Sequence, residues 1–264
     1  MATPDLSQFL SRVQKNAPLV LCLTNVVTVT DCANALLAIG ASPVMSADPQ
    51  DAADLAAIAQ ALVINIGTIS DSQQAVIDAA FDKARSRQIP IILDPVGAGA
   101  TSRRLKASEK YLEGASIVRG NASEILALCG PASGQKGVDS SAVTELDELI
   151  NQASTLAASK KLVVAVTGPT DIATDGQNVF QYEGSHILMT RLTGTGCVLS
   201  AVSGAYAAAS PEALLPAAFA ALKHLAIAGE RAAAALPPQS RPILGTFKTL
   251  LFDRLGDLTP ADLS

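Results

Sequence analysis

Through the first two thirds of the chain, short continuous apolar runs alternate with amphipathic segments. The apolar runs predict strands at 18–23, 42–46, 61–66, 89–93, 116–118 and 162–166. The amphipathic segments predict helices at 5–14, 31–39, 51–60, 71–87, 102–112, 122–128 and 146–159, with Gly40 capping the second of them. The runs do not alternate apolar with polar, as they would on a sheet wetted on one side. They read as parallel strands covered on both faces. Two short segments, 171–174 and 178–182, read as a hairpin turning at Asp175-Gly176. From Gly196 onward the pattern is helical, with breaks expected at Pro211, Pro216 and Pro237-Pro238. The predicted class is α/β, a mostly parallel sheet with helices on both faces. No repeat or linker divides it, so 1–264 reads as a single domain, with an exposed polar loop over 131–141.

Composition narrows this picture. Apolar residues make up 49% of the 264 and aromatic residues only 3%, with no Trp, so the core is built from Ala, Val, Ile and Leu. The net charge of −5 comes without a dense basic stretch, which argues against nucleic acid as a partner. No run reaches the roughly 18 apolar residues of a membrane span, and the first residues lack the pattern of a secretory signal. The four cysteines, Cys22, Cys32, Cys129 and Cys197, have neither zinc-ligand nor disulfide-framework spacing. The compartment therefore reads as reducing cytoplasm.

Polar and small residues recur just after the strands: Thr24-Asn25, Gly67-Thr68, Asp94-Pro95, Arg119-Gly-Asn121 and Thr167-Gly168. Any one of them could be a turn residue or a cap. Five on the carboxyl edge of one sheet mark the edge where open α/β sheets bind ligands. Thr193-Gly-Thr-Gly-Cys197 then runs into a small-residue helix. Its N–H groups and helix dipole suit a phosphate or a developing negative charge. Cys197 stands where that field is strongest, which predicts a favoured thiolate. The alternative is a loop and a buried helix with a packing cysteine.

Asn121-Ala-Ser-Glu124 is either a capping box or the carboxylate of a water-mediated Mg²⁺ site with Asp94 as its second carboxylate. Arg119, expected one residue beyond its strand, could reach phosphate oxygens or form a surface salt bridge. Thr167 and Gly168 offer a hydroxyl and close backbone approach to the far end of a nucleotide. Together these suggest phosphoryl transfer. The Gly-x-x-x-x-Gly-Lys-Ser/Thr pattern of P-loop enzymes is absent. The base must lie near the anion-binding turn, where Cys197 is the titratable residue.

With these residues in place, the chain resembles the hydroxyethylthiazole kinase family of the ribokinase-like superfamily nearly end to end. The resemblance rests on Thr24-Asn25, Ala33-Asn34, Leu36-Leu-Ala-Ile-Gly-Ala-Ser-Pro-Val-Met-Ser46 and Val63-Ile-Asn-Ile-Gly-Thr68. It continues in Leu93-Asp-Pro-Val-Gly-Ala-Gly-Ala-Thr101, Val118-Arg-Gly-Asn-Ala-Ser-Glu-Ile125, Val166-Thr-Gly168 and Thr193-Gly-Thr-Gly-Cys197. Asn-x-x-Glu and the Gly-x-Gly turn are shared across the superfamily. The 33–46 segment and the cysteine at 197, in place of aspartate, are particular to this family.

The resemblance implies a three-layer ribokinase-like fold and transfer of the ATP γ-phosphate to the primary alcohol of 4-methyl-5-(2-hydroxyethyl)thiazole, in thiamine salvage. It implies Cys197 as base, Met45, Gly194 and Asn25 at the thiazole, and Arg119 and Thr167 at ATP. Asp94 and Glu124 would hold Mg²⁺. It also implies a homotrimer with the thiazole site between subunits, Asn25 and Met45 at the seam. The segment 46–52 is less acidic than is usual for the family, and 241–247 replaces a Gly-Pro-Gly turn. The rival readings are another ribokinase-like enzyme (a hydroxymethylpyrimidine or pyridoxal kinase, or an NAD(P)H-hydrate dehydratase) and a non-catalytic thiazole- or nucleotide-binding protein.

Overall fold

The computed structural model describes residues 5–130, 142–238 and 243–264. The loop expected over 131–141 and the first two residues of the 241–247 turn lie outside the described residues. In chain order the elements are α1 (Ser7–Asn16), β1 (Leu19–Leu23), α2 (Val29–Ala38), β2 (Ser42–Val44), α3 (Pro49–Ala56), β3 (Ala61–Asn65) and α4 (Asp71–Arg87). Next come β4 (Ile91–Asp94), α5 (Ser102–Leu112), β5 (Ile117–Asn121), α6 (Ala122–Leu128), α7 (Ala142–Lys160) and β6 (Val163–Thr167). The hairpin β7 (Thr170–Thr174) and β8 (Val179–Glu183) precedes α8 (Thr195–Ala209), α9 (Leu214–Ala234) and α10 (Leu244–Asp257). A 3-10 turn at Ile187–Arg191 joins β8 to α8, and another ends the chain at Pro260–Leu263.

The strands form one eight-stranded sheet in the order β2-β1-β3-β4-β5-β6-β7-β8. Pairing is parallel from β2 through β6 and antiparallel for β7 and β8. Strand periodicity splits the core in two. Val20, Cys22, Val63, Ile92 and Ala165 face a layer containing α1, α2, α8, α9 and α10. Leu21, Leu62, Ile64, Leu93 and Val164 face α3, α4, α5, α6 and α7. This is the α/β three-layer arrangement expected from the sequence.

From β1 the chain steps outward to β2 and then returns to lay β3 on the other side of β1. A crevice opens at such a reversal, outside the carboxyl ends of the strands. The N-terminus of α8 enters it.

Three expectations need correction, and one element is new. Arg119 does not lie beyond its strand: β5 continues to Asn121 because Arg119, Gly120 and Asn121 pair with Ala165, Val166 and Thr167. The helix expected at 51–60 begins earlier, since Asp48 caps it by accepting the Asp51 N–H and Pro49 opens its first turn. Pro216 breaks nothing, because it lies in the first turn of α9, where the N–H it lacks has no intrahelical partner. The 3-10 turn at Ile187–Arg191 is additional to the predicted elements.

Candidate active site

The first intrahelical hydrogen bond of α8 runs from Val198 N to Gly194 O at 2.9 Å. The N–H groups of Thr195, Gly196 and Cys197 precede it and point along the helix axis toward the crevice. Gly194 has φ +94°, and a Cβ there would lie 2.6 Å from Thr28 Cγ2. Both the left-handed backbone and the close approach to Thr28 require glycine. A Cβ on Gly196 would lie 2.7 Å from Arg119 Nη2, so the helix start rests directly on the guanidinium.

Cys197, half-buried in the first turn, presents its sulfur to two side-chain amides. Asn25 Nδ2 and Asn65 Nδ2 each lie 3.2 Å from Sγ. Asn25 follows β1 and Asn65 ends β3, so the sulfur stands at the reversal of strand order.

Asp94, at the end of β4, is the hub of the buried polar cluster and has no exposed surface. Its Oδ2 accepts from Asn65 Nδ2 at 2.6 Å and from Ser200 Oγ at 2.8 Å. Its Oδ1 faces Arg119 Nη1 at 3.4 Å. Arg119 is 5% exposed and also donates from Nη2 to Thr167 Oγ1 at 3.1 Å. Its Nε is buried without a hydrogen-bond partner. Gly168, next to Thr167, donates its N–H to Asp171 Oδ1 at 3.1 Å.

Glu124 makes the capping box that Asn-x-x-Glu allows. Its Oε2 accepts Asn121 N at 2.9 Å, while Asn121 Oδ1 accepts Glu124 N at 3.0 Å. Its Oε1 also accepts Gly97 N at 3.0 Å, which pins the loop after β4. The structural and functional readings of this motif therefore share one side chain.

The electrostatics revise one expectation. Burial pushes the Cys197 thiol up, and the charge of Asp94 pushes it further, against hydrogen bonds from Thr28, Asn25 and Asn65 that pull it down. Position at a helix start does not by itself favour the thiolate here, because the sequence shows neither the burial nor the carboxylate beneath it. Asp94 is also raised, by burial first and then by Glu124, with Arg119, Ser200 and Asn65 opposing.

That opposition between Asp94 and Glu124 bears on a metal. Asp94 at the end of β4, whose charge Glu124 disfavours, and Glu124 just beyond the neighbouring β5 suit a hard divalent cation. Glu124 is half-buried and its oxygens keep unused lone pairs, so it fits a hydrated ion, while enclosed Asp94 contributes charge from behind. Among the described residues no group of three or more His, Cys, Asp or Glu gathers to cage an ion. Water and phosphate would supply most ligands.

The structure thus gathers Asn25, Asp94, Arg119, Thr167, Gly194 and Cys197 at one sheet edge, with Glu124 and Gly168 at its rim. Met45 stands apart, half-buried just past the edge strand β2 and packed on the α2 and α8 side of the core. Asn65, Ser200 and Thr28 are the members that sequence reasoning missed. Asn65 closes an apolar run and Ser200 lies within an apolar helix, so only their position at the end of β3 and one turn beyond Cys197 hinted at a role.

Residues 10–261 match the model of the hydroxyethylthiazole kinase family. The chain belongs to this family. A hydroxyethylthiazole kinase from Methanocella arvoryzae is 42% identical over 266 residues, covering 100% of this chain and 97% of that protein. The structure of a hydroxyethylthiazole kinase protein from Pyrococcus horikoshii superposes with a TM-score of 0.85 at 36% identity, over 96% of this chain and 93% of that one. A ribokinase-like superfamily protein from Enterococcus faecalis shares the fold at 13% identity, with a TM-score of 0.65 over 97% and 94% of the two chains.

Proposed function

We propose that the protein transfers the γ-phosphate of ATP to the primary alcohol of 4-methyl-5-(2-hydroxyethyl)thiazole, with Cys197 as general base. The observation that carries this reading is the Cys197 sulfur in the first turn of α8, flanked by two amides and set above the Asp94–Arg119 pair. The thiolate takes the hydroxyl proton as the alcohol oxygen bonds to the γ-phosphorus and the bond to the departing ADP oxygen breaks. The N–H groups of Thr195, Gly196 and Cys197 take up charge on the transferring group. Arg119 and Thr167 hold the phosphates, and Gly168 lets the backbone approach the nucleoside end. Glu124, with Asp94 behind it, would hold hydrated Mg²⁺, which supplies charge neutralisation between the phosphates when bound. Met45, Gly194 and Asn25 line the thiazole.

The site is completed by assembly into a homotrimer, with Asn25 and Met45 near the seam. Val26 and Val27, 80% and 64% exposed beside Asn25, and Leu37 on α2, 59% exposed, give this region the apolar surface an interface needs. No helix among the described residues is long and apolar enough to cross a membrane. The deciding experiment is incubation with ATP, Mg²⁺ and a panel of thiazole, pyrimidine and pyridine alcohols. A phosphorylated thiazole alcohol is expected; phosphorylation of the pyrimidine or pyridine alcohol instead would replace the reading with another vitamin kinase, and no turnover would replace it with a binding protein.

A further inference from the structure

Asn65 uses all four of its hydrogen-bonding positions inside the protein, and its orientation is forced. Its Oδ1 accepts the Gly67 N–H at 2.9 Å, a backbone donor that cannot reverse its role. The amide nitrogen therefore faces the other way, toward Asp94 Oδ2 at 2.6 Å and Cys197 Sγ at 3.2 Å. The same logic fixes Asn25, whose Oδ1 accepts Val27 N at 3.0 Å. Its Nδ2 is left for Asn65 Oδ1 at 3.0 Å and for the sulfur at 3.2 Å. Sγ thus meets two N–H donors of fixed polarity. An apolar slot would suffice for a packing thiol; paired donors suit a sulfur that carries negative charge.

We infer that Asn65 is a positioning residue for phosphoryl transfer, acting through Cys197: it holds Sγ in place and donates to it, and Asp94 in turn holds Asn65. This rests on the reading of Cys197 as base. The arrangement links the charged hub to the reacting edge through one amide, with Asn65 fully enclosed. Asp94 accordingly serves the sulfur by orienting the group that donates to it, although its own charge opposes the thiolate.

The test is a double-mutant cycle on the full-length enzyme with Asn65→Ala, Cys197→Ala and the pair, measuring kcat and both KM values. Asn65→Ala is expected to lower kcat roughly 10- to 100-fold with KM for the thiazole alcohol and ATP changed less than about threefold, and to add nothing in the Cys197→Ala background. Independently of turnover, the iodoacetamide reaction of Cys197, followed at that residue by mass spectrometry, should slow about tenfold in Asn65→Ala. Should Asn65→Ala not fold, the isosteric Asn65→Asp, which removes both N–H donors, runs the same cycle and the same alkylation.

Losses that multiply across the cycle, or an Asn65 variant with wild-type kcat and alkylation, would overturn the inference while leaving the base reading standing. Cys197→Ala at the wild-type rate would overturn the base reading itself and the inference with it.

Discussion

Tyr206 Oη lies 2.6 Å from His224 Nδ1 in the interior of the helical layer, and both residues are wholly buried. His224 Nε2 lies 3.0 Å from the Leu255 carbonyl, which can only accept. Nε2 therefore carries the proton, Nδ1 accepts from Tyr206, and a neutral imidazole ties α8, α9 and α10 together.

Burial holds the His224 imidazole down to about 4. An unfolded histidine titrates near 6.5, so between these values the unfolded chain binds a proton that the folded chain refuses. Stability is lost as pH falls through this window, on the order of 3 kcal/mol from this group. Asp171, pushed up to about 6 mainly by burial, acts with the opposite sign. Its folded form binds the proton first, so its contribution is present at low pH and is lost as pH rises through about 6. Urea unfolding at pH 7, 5.5 and 4 should show a steeper acid loss in the wild type than in His224→Gln, and a steeper loss still in Asp171→Asn.

The paired amides make a prediction about base replacement. Cys197→Asp should keep kcat within roughly 30-fold of wild type, because the N–H donors of Asn25 and Asn65 can receive a carboxylate oxygen; Cys197→Ala should lose roughly 10²- to 10⁴-fold. A carboxylate also ionises at lower pH than a thiol, so the acid limb of the pH–rate profile should move down in Cys197→Asp. A packing cysteine predicts the reverse order, Ala mild and Asp damaging.

Glu124→Gln separates capping from metal binding. The amide keeps one acceptor for the capping box and loses the other, so stability should fall by about 1 kcal/mol. The lost charge should raise the Mg²⁺ concentration for half-maximal activity and lower kcat at least about tenfold. Unchanged kcat at limiting Mg²⁺, with the melting temperature lowered, would show that Glu124 serves only the helix.

Gly196→Ala tests the contact between α8 and Arg119. Its Cβ would lie 2.7 and 2.9 Å from the two terminal nitrogens, which forces the guanidinium away from Thr167 and Asp94. Such crowding is worth about 1–3 kcal/mol, so KM for ATP should rise about tenfold or more while far-ultraviolet circular dichroism stays unchanged. An unchanged KM would mean that Arg119 does not need this seat.

Three chains of 27.0 kDa would sediment as a particle of about 80 kDa. Val26→Asp and Leu37→Asp place charge on exposed apolar positions and should release smaller, inactive species. A fully active monomer in the ultracentrifuge would remove the seam from the description of the site.

The helices most faithfully read from the sequence are those with a signal at their start. Ser70, Thr101 and Asn121 each accept the N–H three residues on, and α4, α5 and α6 begin and end where their patterns predict. The start of α3 is not legible because Asp48-Pro49 reads as a turn, whereas in the fold Asp48 accepts the Asp51 N–H and caps the helix. The last residues of β5 are not legible because Arg119 and Gly120 look like loop residues; the Asp94 carboxylate and pairing with β6 keep them inside. Asp94, Arg119 and Cys197 stood out by residue type and strand position. Asn65 did not, since three of its four partners lie 29, 40 and 132 residues away in sequence. The charge state of Cys197 is hidden for the same reason, because burial and a distant carboxylate leave no local mark.

The long reach of these contacts sets when in the life of the chain the site can exist. Sγ of Cys197 closes on partners 172 and 132 residues earlier, and Ser200 on an aspartate 106 residues earlier. Local helices form before such distant pairings. A nascent chain that stops short of residue 197 carries Asn25, Asn65 and Asp94 with no sulfur above them, and it must keep this polar crevice open until α8 arrives. On refolding, helical signal should therefore return ahead of turnover, and the interval between them spans strand pairing, the docking of α8 and subunit assembly.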